Sequence, residues 1–149
     1  WLGLGLGYRY SGRKNTEGYF ENRNRFNVDL ELKRKFFGML VLQPRVRYQR
    51  QYTALQTSEM GMVPRDFLRY KLVASLDLDR KYEPYLSAEL YYQMQYDEKE
   101  FNRVRYEIGT HYKFNKHHRI TLFFLHQRAF NEPDPMRQYI TGLAYKYTF

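Results

Sequence analysis

Apolar and polar residues alternate along most of this 149-residue chain, and the alternation restricts the folds it can adopt. From residue 68 to residue 79, the even positions are Leu, Tyr, Leu, Ala, Leu and Leu, whereas most odd positions are charged or small. A side-chain period of two places these sets on opposite faces of a β-strand. The sequence shows neither the 3.6-residue period of an amphipathic helix nor the roughly 20-residue apolar run of a membrane helix. An all-β protein is therefore predicted.

The same pattern predicts eight antiparallel strands separated by turn-forming segments. Their approximate bounds are 2–10, 19–33, 39–52, 67–79, 84–96, 101–114, 119–129 and 139–149. Pro44 lies inside the third strand and, because it lacks an N–H, predicts a bulge or a local bend there. The seventh strand is apolar on both faces, so its orientation stays open. One domain over residues 1–149 accounts for the chain.

The direction of the apolar face separates two kinds of barrel, since a soluble lipocalin-like barrel points it inwards and a membrane barrel points it outwards. Large apolar side chains on nearly every strand would overfill an eight-stranded interior. Aromatic residues lie near the strand ends, as in an interfacial girdle, and charged residues lie in mid-strand on the other face. The sequence favours an antiparallel up-and-down transmembrane β-barrel with a polar, occluded lumen. A soluble barrel that binds an apolar ligand is the alternative.

The end of the chain carries a resemblance to membrane barrels. Tyr139, Leu143, Tyr145, Tyr147 and Phe149 share one face of the last predicted strand. This stretch resembles the final strand of Gram-negative outer-membrane β-barrels, which implies that the barrel-assembly machinery reads it. Connections that alternate between longer and shorter match outer loops and periplasmic turns, with both termini in the periplasm.

Several other segments resemble an uncharacterised family of small bacterial outer-membrane β-barrels, known only as a domain of unknown function. They are LRYKL at 68–72, EPYLSAELY at 83–91, FNRVRYEIG at 101–109, GLAYKY at 142–147 and, less firmly, QPRVRY at 43–48. The similarity is clearest over residues 67–149. It implies a barrel in the bacterial outer membrane, and family members that are longer at the N-terminus, with about two more strands.

The composition of the chain limits which ligands and cofactors it is expected to bind. The formal net charge of +9 would suit a protein that binds nucleic acid. The basic residues are, however, spread over alternating strands without a recognisable binding motif, so nucleic-acid binding is not predicted. The chain has no cysteine and therefore no disulfide framework. His117 and His118 lack a second group of ligands, so we predict no metal site and no cofactor. The segment from Trp1 to Leu6 is too short for a signal peptide, so an exported chain would be mature or truncated here.

Basic residues of the polar face gather toward the outer mouth under this topology. They are Arg9, Arg23, Arg25, Arg47, Arg69, Lys71, Arg103 and Arg105. Arginine binds phosphate and carboxylate groups through paired hydrogen bonds, so the hypothesis is an anion site for lipopolysaccharide or an acidic glycan. The alternative is that these side chains fill the interior as ion pairs with Glu21, Glu89 and Glu107.

Two other functions are compatible with such a barrel. An outer-membrane hydrolase of lipids or peptides would use His126 as a base with Ser58, Asp66 or Asp97, but no motif joins them and no catalytic residue is predicted. A structural or interaction protein, held in outer-membrane lipid, would contact a partner through the 53–66 loop, whose methionines adapt to varied surfaces.

Overall fold

Residues 1–14, 20–52, 65–78, 81–95, 98–131, 135 and 137–148 are described by a computed structural model. The secondary-structure elements in these ranges are all β-strands. They are β1 (Leu2–Lys14), β2 (Phe20–Leu32), β3 (Arg34–Phe36), β4 (Leu40–Tyr52), β5 (Arg65–Leu76), β6 (Tyr82–Gln95), β7 (Glu98–Lys113), β8 (His118–Ala129) and β9 (Arg137–Tyr147). In the same ranges no helix is long and apolar enough to cross a membrane, a finding that does not bear on crossing by strands. The all-β prediction is confirmed.

Eight long strands form one antiparallel sheet in the order β1-β2-β4-β5-β6-β7-β8-β9, with the short β3 paired to β4. Each long strand lies beside the next one along the chain, which confirms the up-and-down order. The sheet curls into a half-barrel, consistent with a β-barrel. Within the described part of the chain, β1 and β9 are its two edges and do not pair with each other.

Three strands begin or end beyond their predicted bounds. β1 continues through Lys14, although a loop was predicted from Ser11, and β5 begins at Arg65. β7 begins at Glu98, inside a segment predicted to be a charged loop. Those loop predictions were wrong because the cross-strand ladder extends past the local turn formers, and pairing outweighs their preference for turns.

Pro44 interrupts the ladder between the second and fourth strands without adding a residue. Pairing lapses after Glu31, which lies opposite Arg45, and resumes with Arg34 opposite Leu42, in the same register. Proline cannot donate to the ladder, so β2 and β3 are two parts of one strand. A register shift occurs instead at Tyr91/Tyr92 of β6.

The two faces of the sheet differ in polarity. The convex face carries exposed apolar side chains such as Leu72, Tyr106, Ile108 and Leu143. Polar or charged residues predominate among the buried side chains of the described residues, whereas only Val41, Tyr85, Tyr91, Leu125 and Ala129 are buried hydrophobic residues there. This arrangement is the reverse of that in a lipocalin-like barrel, whose apolar side chains point inwards.

β8 takes its orientation from its neighbours. Leu125 is 5% exposed on the concave side, whereas Leu122 is 53% exposed on the convex side. The concave side chain of Phe123 lies over Gly142 of β9, where a Cβ would collide with the ring. The sequence could not orient this strand because both faces are apolar; the glycine opposite Phe123 is what makes room for the ring.

We expect the substitution Gly109→Ala to destabilise the sheet by about 1–3 kcal/mol, because it overpacks a filled site. A Cβ at this position would lie 2.6 Å from the Leu122 carbonyl oxygen and 2.8 Å from the ring of Tyr85. Gly3→Ala is the matched control, since its Cβ would meet Glu31 only at 3.8 Å. The measurement is the free energy of unfolding of detergent-folded protein in urea, and equal values for both variants would contradict the prediction.

Candidate functional site: a basic cavity on the concave face

The concave face encloses a cavity of about 700 Å³. All eight basic residues predicted from the sequence line it: Arg9, Arg23, Arg25, Arg47, Arg69, Lys71, Arg103 and Arg105. Arg45 and Arg65 line it as well, and Glu89 is the carboxylate among its described lining residues. Arg45 follows the same alternation as Arg47, so the sequence pattern could have identified it. Arg65 had been assigned to a loop.

The strand register explains why these residues meet. One row across the sheet contains Arg9, Arg25, Gln51 and Arg65, and the next row but one contains Asp29, Arg47, Arg69, Tyr91 and Arg103. Arg9 thus lies directly opposite Arg25, and Arg47 directly opposite Arg69. Like charges at directly opposite positions destabilise a sheet, so both pairs require compensation by negative groups.

The carboxylate of Glu89 offsets the positive charge of the arginines at the floor of the cavity. This carboxylate is 2% exposed and accepts hydrogen bonds from the Arg69 guanidinium at 2.8–3.1 Å. Arg45 Nη2 lies 3.3 Å from Glu89 Oε1, and Arg105 Nη1 lies 3.7 Å from Glu89 Oε2. A carboxylate loses much hydration energy on burial, and three guanidinium groups offset that loss.

Tyr91 forms an aromatic platform beside this carboxylate. Its hydroxyl donates to Glu89 at 3.2 Å, and the guanidinium carbons of Arg69, Arg103 and Arg105 lie 4.4, 5.6 and 5.4 Å from its ring centre. Cations over an aromatic face are attracted by its quadrupole. Tyr91 shares the concave face of β6 with Glu89, two residues before it, so the alternation of the strand brings the ring beside the carboxylate.

Other carboxylates neutralise two further residues of the predicted set. The Arg47 Nε and Nη2 atoms donate to Asp29 at 2.5 and 2.7 Å. Lys71 Nζ lies 3.9 Å from Glu107, which also accepts a hydrogen bond of 2.7 Å from the Tyr85 hydroxyl. Ion pairs therefore account for four residues of the predicted set. Arg69 and Arg105 pair with Glu89, and Lys71 pairs with Glu107; both carboxylates were predicted partners. Arg47 pairs with Asp29, which had not been predicted as a partner. The side chain of Glu21 lies outside the described residues.

Four arginines of the cavity have no such partner among the described residues. Arg9, Arg25, Arg65 and Arg103 lie within 4.0 Å of no carboxylate in the described part of the chain. Arg25 Nη2 donates to Gln51 at 3.0 Å, but the Nε atoms of Arg25 and Arg103 are buried without an acceptor there. Buried donors without acceptors cost free energy, so these arginines form the part of the cavity that can bind an anion.

The residues proposed for hydrolysis are not assembled in the described structure. His126 lies on the convex face, with its ring stacked at 4.8 Å on that of Tyr139. Asp66 pairs with Arg50 at 3.0 Å, on a strand three places away from β8 in the sheet. Ser58 and Asp97 lie outside the described residues.

The other features singled out in the sequence are the proposed contact loop, the end of the last strand and the two adjacent histidines. Residues 53–64 of the proposed contact loop and Phe149 lie outside the described residues, and residues 65 and 66 belong to β5. His117 Nδ1 lies 2.9 Å from the Thr148 carbonyl oxygen, and His118 Nδ1 lies 2.5 Å from the Tyr145 hydroxyl. Among the described residues, no group of histidines and carboxylates is arranged to hold a metal ion.

Glu89→Gln is expected to destabilise the fold by about 3–5 kcal/mol, because it removes one partner of a buried ion cluster and leaves the arginine charges uncompensated. Asp66→Asn is the matched control, since its partner Arg50 is 44% exposed and an exposed ion pair contributes little to stability. Urea unfolding of both variants in detergent measures the difference. A Glu89→Gln protein as stable as the control would show that the cluster does not stabilise the sheet.

Comparison with known proteins gave one match. Residues 1–138 match the family described as Protein of unknown function (DUF2490). Searches of curated proteins and of solved structures found no match. The match reaches residue 1, far beyond the 67–149 region suggested by sequence pattern, and it stops before the 142–147 segment. Its description gives neither a location nor an activity. Because the match covers most of the chain, this protein belongs to the DUF2490 family.

Proposed function

We propose that the chain forms part of a β-barrel in a bacterial outer membrane and binds an anionic group of lipopolysaccharide or an acidic glycan in its basic cavity. The observation that carries the proposal is the composition of the cavity, whose lining includes ten basic side chains and one carboxylate, Glu89. In this proposal both termini lie in the periplasm, and the barrel-assembly machinery reads β9.

The apolar convex face supports the membrane location. Exposed leucine, isoleucine, phenylalanine or tyrosine side chains lie on the long strands, except on β4, where the exposed large apolar residue is Val46. In water each fully exposed side chain of this kind would forfeit about 1.5–3 kcal/mol of burial free energy, whereas lipid solvates it. Apolar surface of this extent exceeds the patches that soluble monomers usually expose.

Aromatic side chains near both ends of the strands also support it. Tyr8 and Tyr10 lie on the convex face at the end of the sheet near Arg9 of the cavity lining. Tyr82, Tyr112 and Tyr147 lie at the opposite end, where the rings of Tyr82 and Tyr112 are 4.9 Å apart. Membrane barrels carry such aromatic girdles at the two water interfaces.

The surplus of positive charge supports anion binding. Arg9, Arg25, Arg65 and Arg103 share a cavity in which the protein's own carboxylates are engaged by other residues. A cleft lined by one sign of charge, with low-dielectric walls, concentrates oppositely charged ligands. Arginine adds directional donors that fit phosphate and carboxylate oxygens.

Tryptophan scanning tests the membrane location. In a Trp1→Phe background, Leu72→Trp places the indole on the convex face of β5, and Phe67→Trp places it in the cavity on the same strand. Phospholipids with brominated acyl chains should quench the fluorescence of the first variant strongly and that of the second weakly. Equal quenching, or folded protein that stays soluble without detergent, would contradict the location.

Arginine substitutions test anion binding. Arg9→Gln and Arg25→Gln should each weaken the binding of phosphorylated lipid A about tenfold, since each removes a charge-assisted contact. Arg50→Gln is the matched control, because Arg50 pairs with Asp66 and does not line the cavity. Binding should also weaken with added salt. Isothermal titration in detergent is the measurement, and unchanged affinity in both cavity variants would exclude this cavity as the site.

A further inference from the structure

Eight of the ten basic residues of the cavity fall into two groups with different roles. Arg45, Arg47, Arg69, Lys71 and Arg105 lie against Asp29, Glu89 or Glu107, so their charges are largely compensated. Arg9, Arg25 and Arg65, which we call the outer arginine row, occupy one register row with Gln51. Compensation within the first group directs an incoming anion to the outer row.

Within this row, the Arg9–Arg25 pair has the greatest need of an anion. The two residues lie directly opposite each other in the β1–β2 ladder, and neither has a carboxylate partner among the described residues. The buried Nε of Arg25 points to no acceptor there. A phosphate monoester carries a charge of about −1.5 to −2 and three acceptor oxygens, so it can serve both guanidinium groups at once. A carboxylate offers one charge and two oxygens.

Asn27 adds a requirement that an anion cannot meet. It follows Arg25 on the same face of β2 and lines the same cavity, and its Oδ1 atom is buried without a donor among the described residues. An amide oxygen accepts hydrogen bonds only, so its complement is a donor such as a hydroxyl group. The opposite residue is Gly7, whose lack of a side chain leaves only an ordinary contact with Asn27, since a Cβ there would lie 3.7 Å from Asn27 Nδ2.

We infer that the cavity recognises a phosphorylated sugar, with its phosphate between Arg9 and Arg25 and a sugar hydroxyl donating to Asn27 Oδ1. This inference rests on the proposed anion-binding function and specifies its ligand. Lipid-anchored and free sugar phosphates share this chemistry.

Titrations with three soluble probes and two variants test the two contacts separately. In the wild-type protein, glucose 1-phosphate should bind more tightly than inorganic phosphate, and glucose should not bind measurably. Arg25→Gln should weaken both phosphate probes about tenfold or more, because it removes a charge-assisted donor. Asn27→Leu, of similar size, should weaken glucose 1-phosphate about three- to tenfold and leave inorganic phosphate unchanged, because it removes only the acceptor for the hydroxyl.

A steric pair provides a control that alters no charge. Gly7→Leu should fill the space beside Asn27 and abolish glucose 1-phosphate binding, while the Cβ itself meets Asn27 Nδ2 at an ordinary 3.7 Å. Gly3→Leu lies on the same face of β1, outside the cavity lining, and should bind like the wild type. Far-UV circular dichroism and thermal unfolding verify that each variant folds.

The outcomes separate this inference from the function on which it rests. If glucose 1-phosphate and inorganic phosphate bind equally, and Asn27→Leu affects neither, the sugar contact is refuted while anion binding stands. If neither phosphate probe nor phosphorylated lipid A binds the wild-type protein, both proposals fail. Tight binding of lipid A that weakens in Arg25→Gln and Asn27→Leu, with weak binding of glucose 1-phosphate, supports a lipid-anchored sugar phosphate. The reverse order of affinities supports a free one.

Discussion

The interaction of Glu89 with three arginines is the constraint on which the concave face depends. The strand register places Arg47 opposite Arg69 and Lys71 opposite Glu89, so positive charges crowd a region that the curvature of the sheet shields from water. Without a buried carboxylate at this point, repulsion would favour a flatter sheet. Glu89 accepts hydrogen bonds from Arg69 and Arg45, and the ring of Tyr91 lies against the guanidinium group of Arg69. The cluster thus permits a basic interior in a curled sheet.

The same cluster determines which part of the cavity remains available. The carboxylates near the cavity are engaged by other basic residues, so among the described residues the uncompensated positive charge lies on Arg9, Arg25 and Arg65 of β1, β2 and β5 and on Arg103 of β7. A count of basic residues would treat the ten lining side chains as equivalent. The hydrogen bonds distinguish those that stabilise the sheet from those with unused donors, and the chemistry of a ligand follows from the second set.

Alternation in the sequence was sufficient to predict the all-β class, the strand order and the meeting of eight basic residues in one cavity. These features follow from a period of two, which assigns each residue to a face, and from short connections, which make neighbours in sequence neighbours in the sheet. The partners of individual side chains do not follow from it. Asp29 reaches Arg47 because of the β2–β4 register, and β8 became oriented only through the fit of Phe123 over Gly142. Turn formers at Ser11 misled the prediction because local preference is weaker than an extended ladder.

The contrast between the two faces connects the fold with its function. A face that holds buried charges must enclose them, and the opposite face is then left with the apolar side chains, whose exposure to water is unfavourable. Both requirements are met if the convex side lies in lipid and the concave side is closed to it. Arg25 and Asn27 are informative in that setting, because atoms shielded from water keep few ways to satisfy a donor or an acceptor. The unsatisfied polar atoms of the interior therefore define the proposed ligand more closely than the net charge of the chain does.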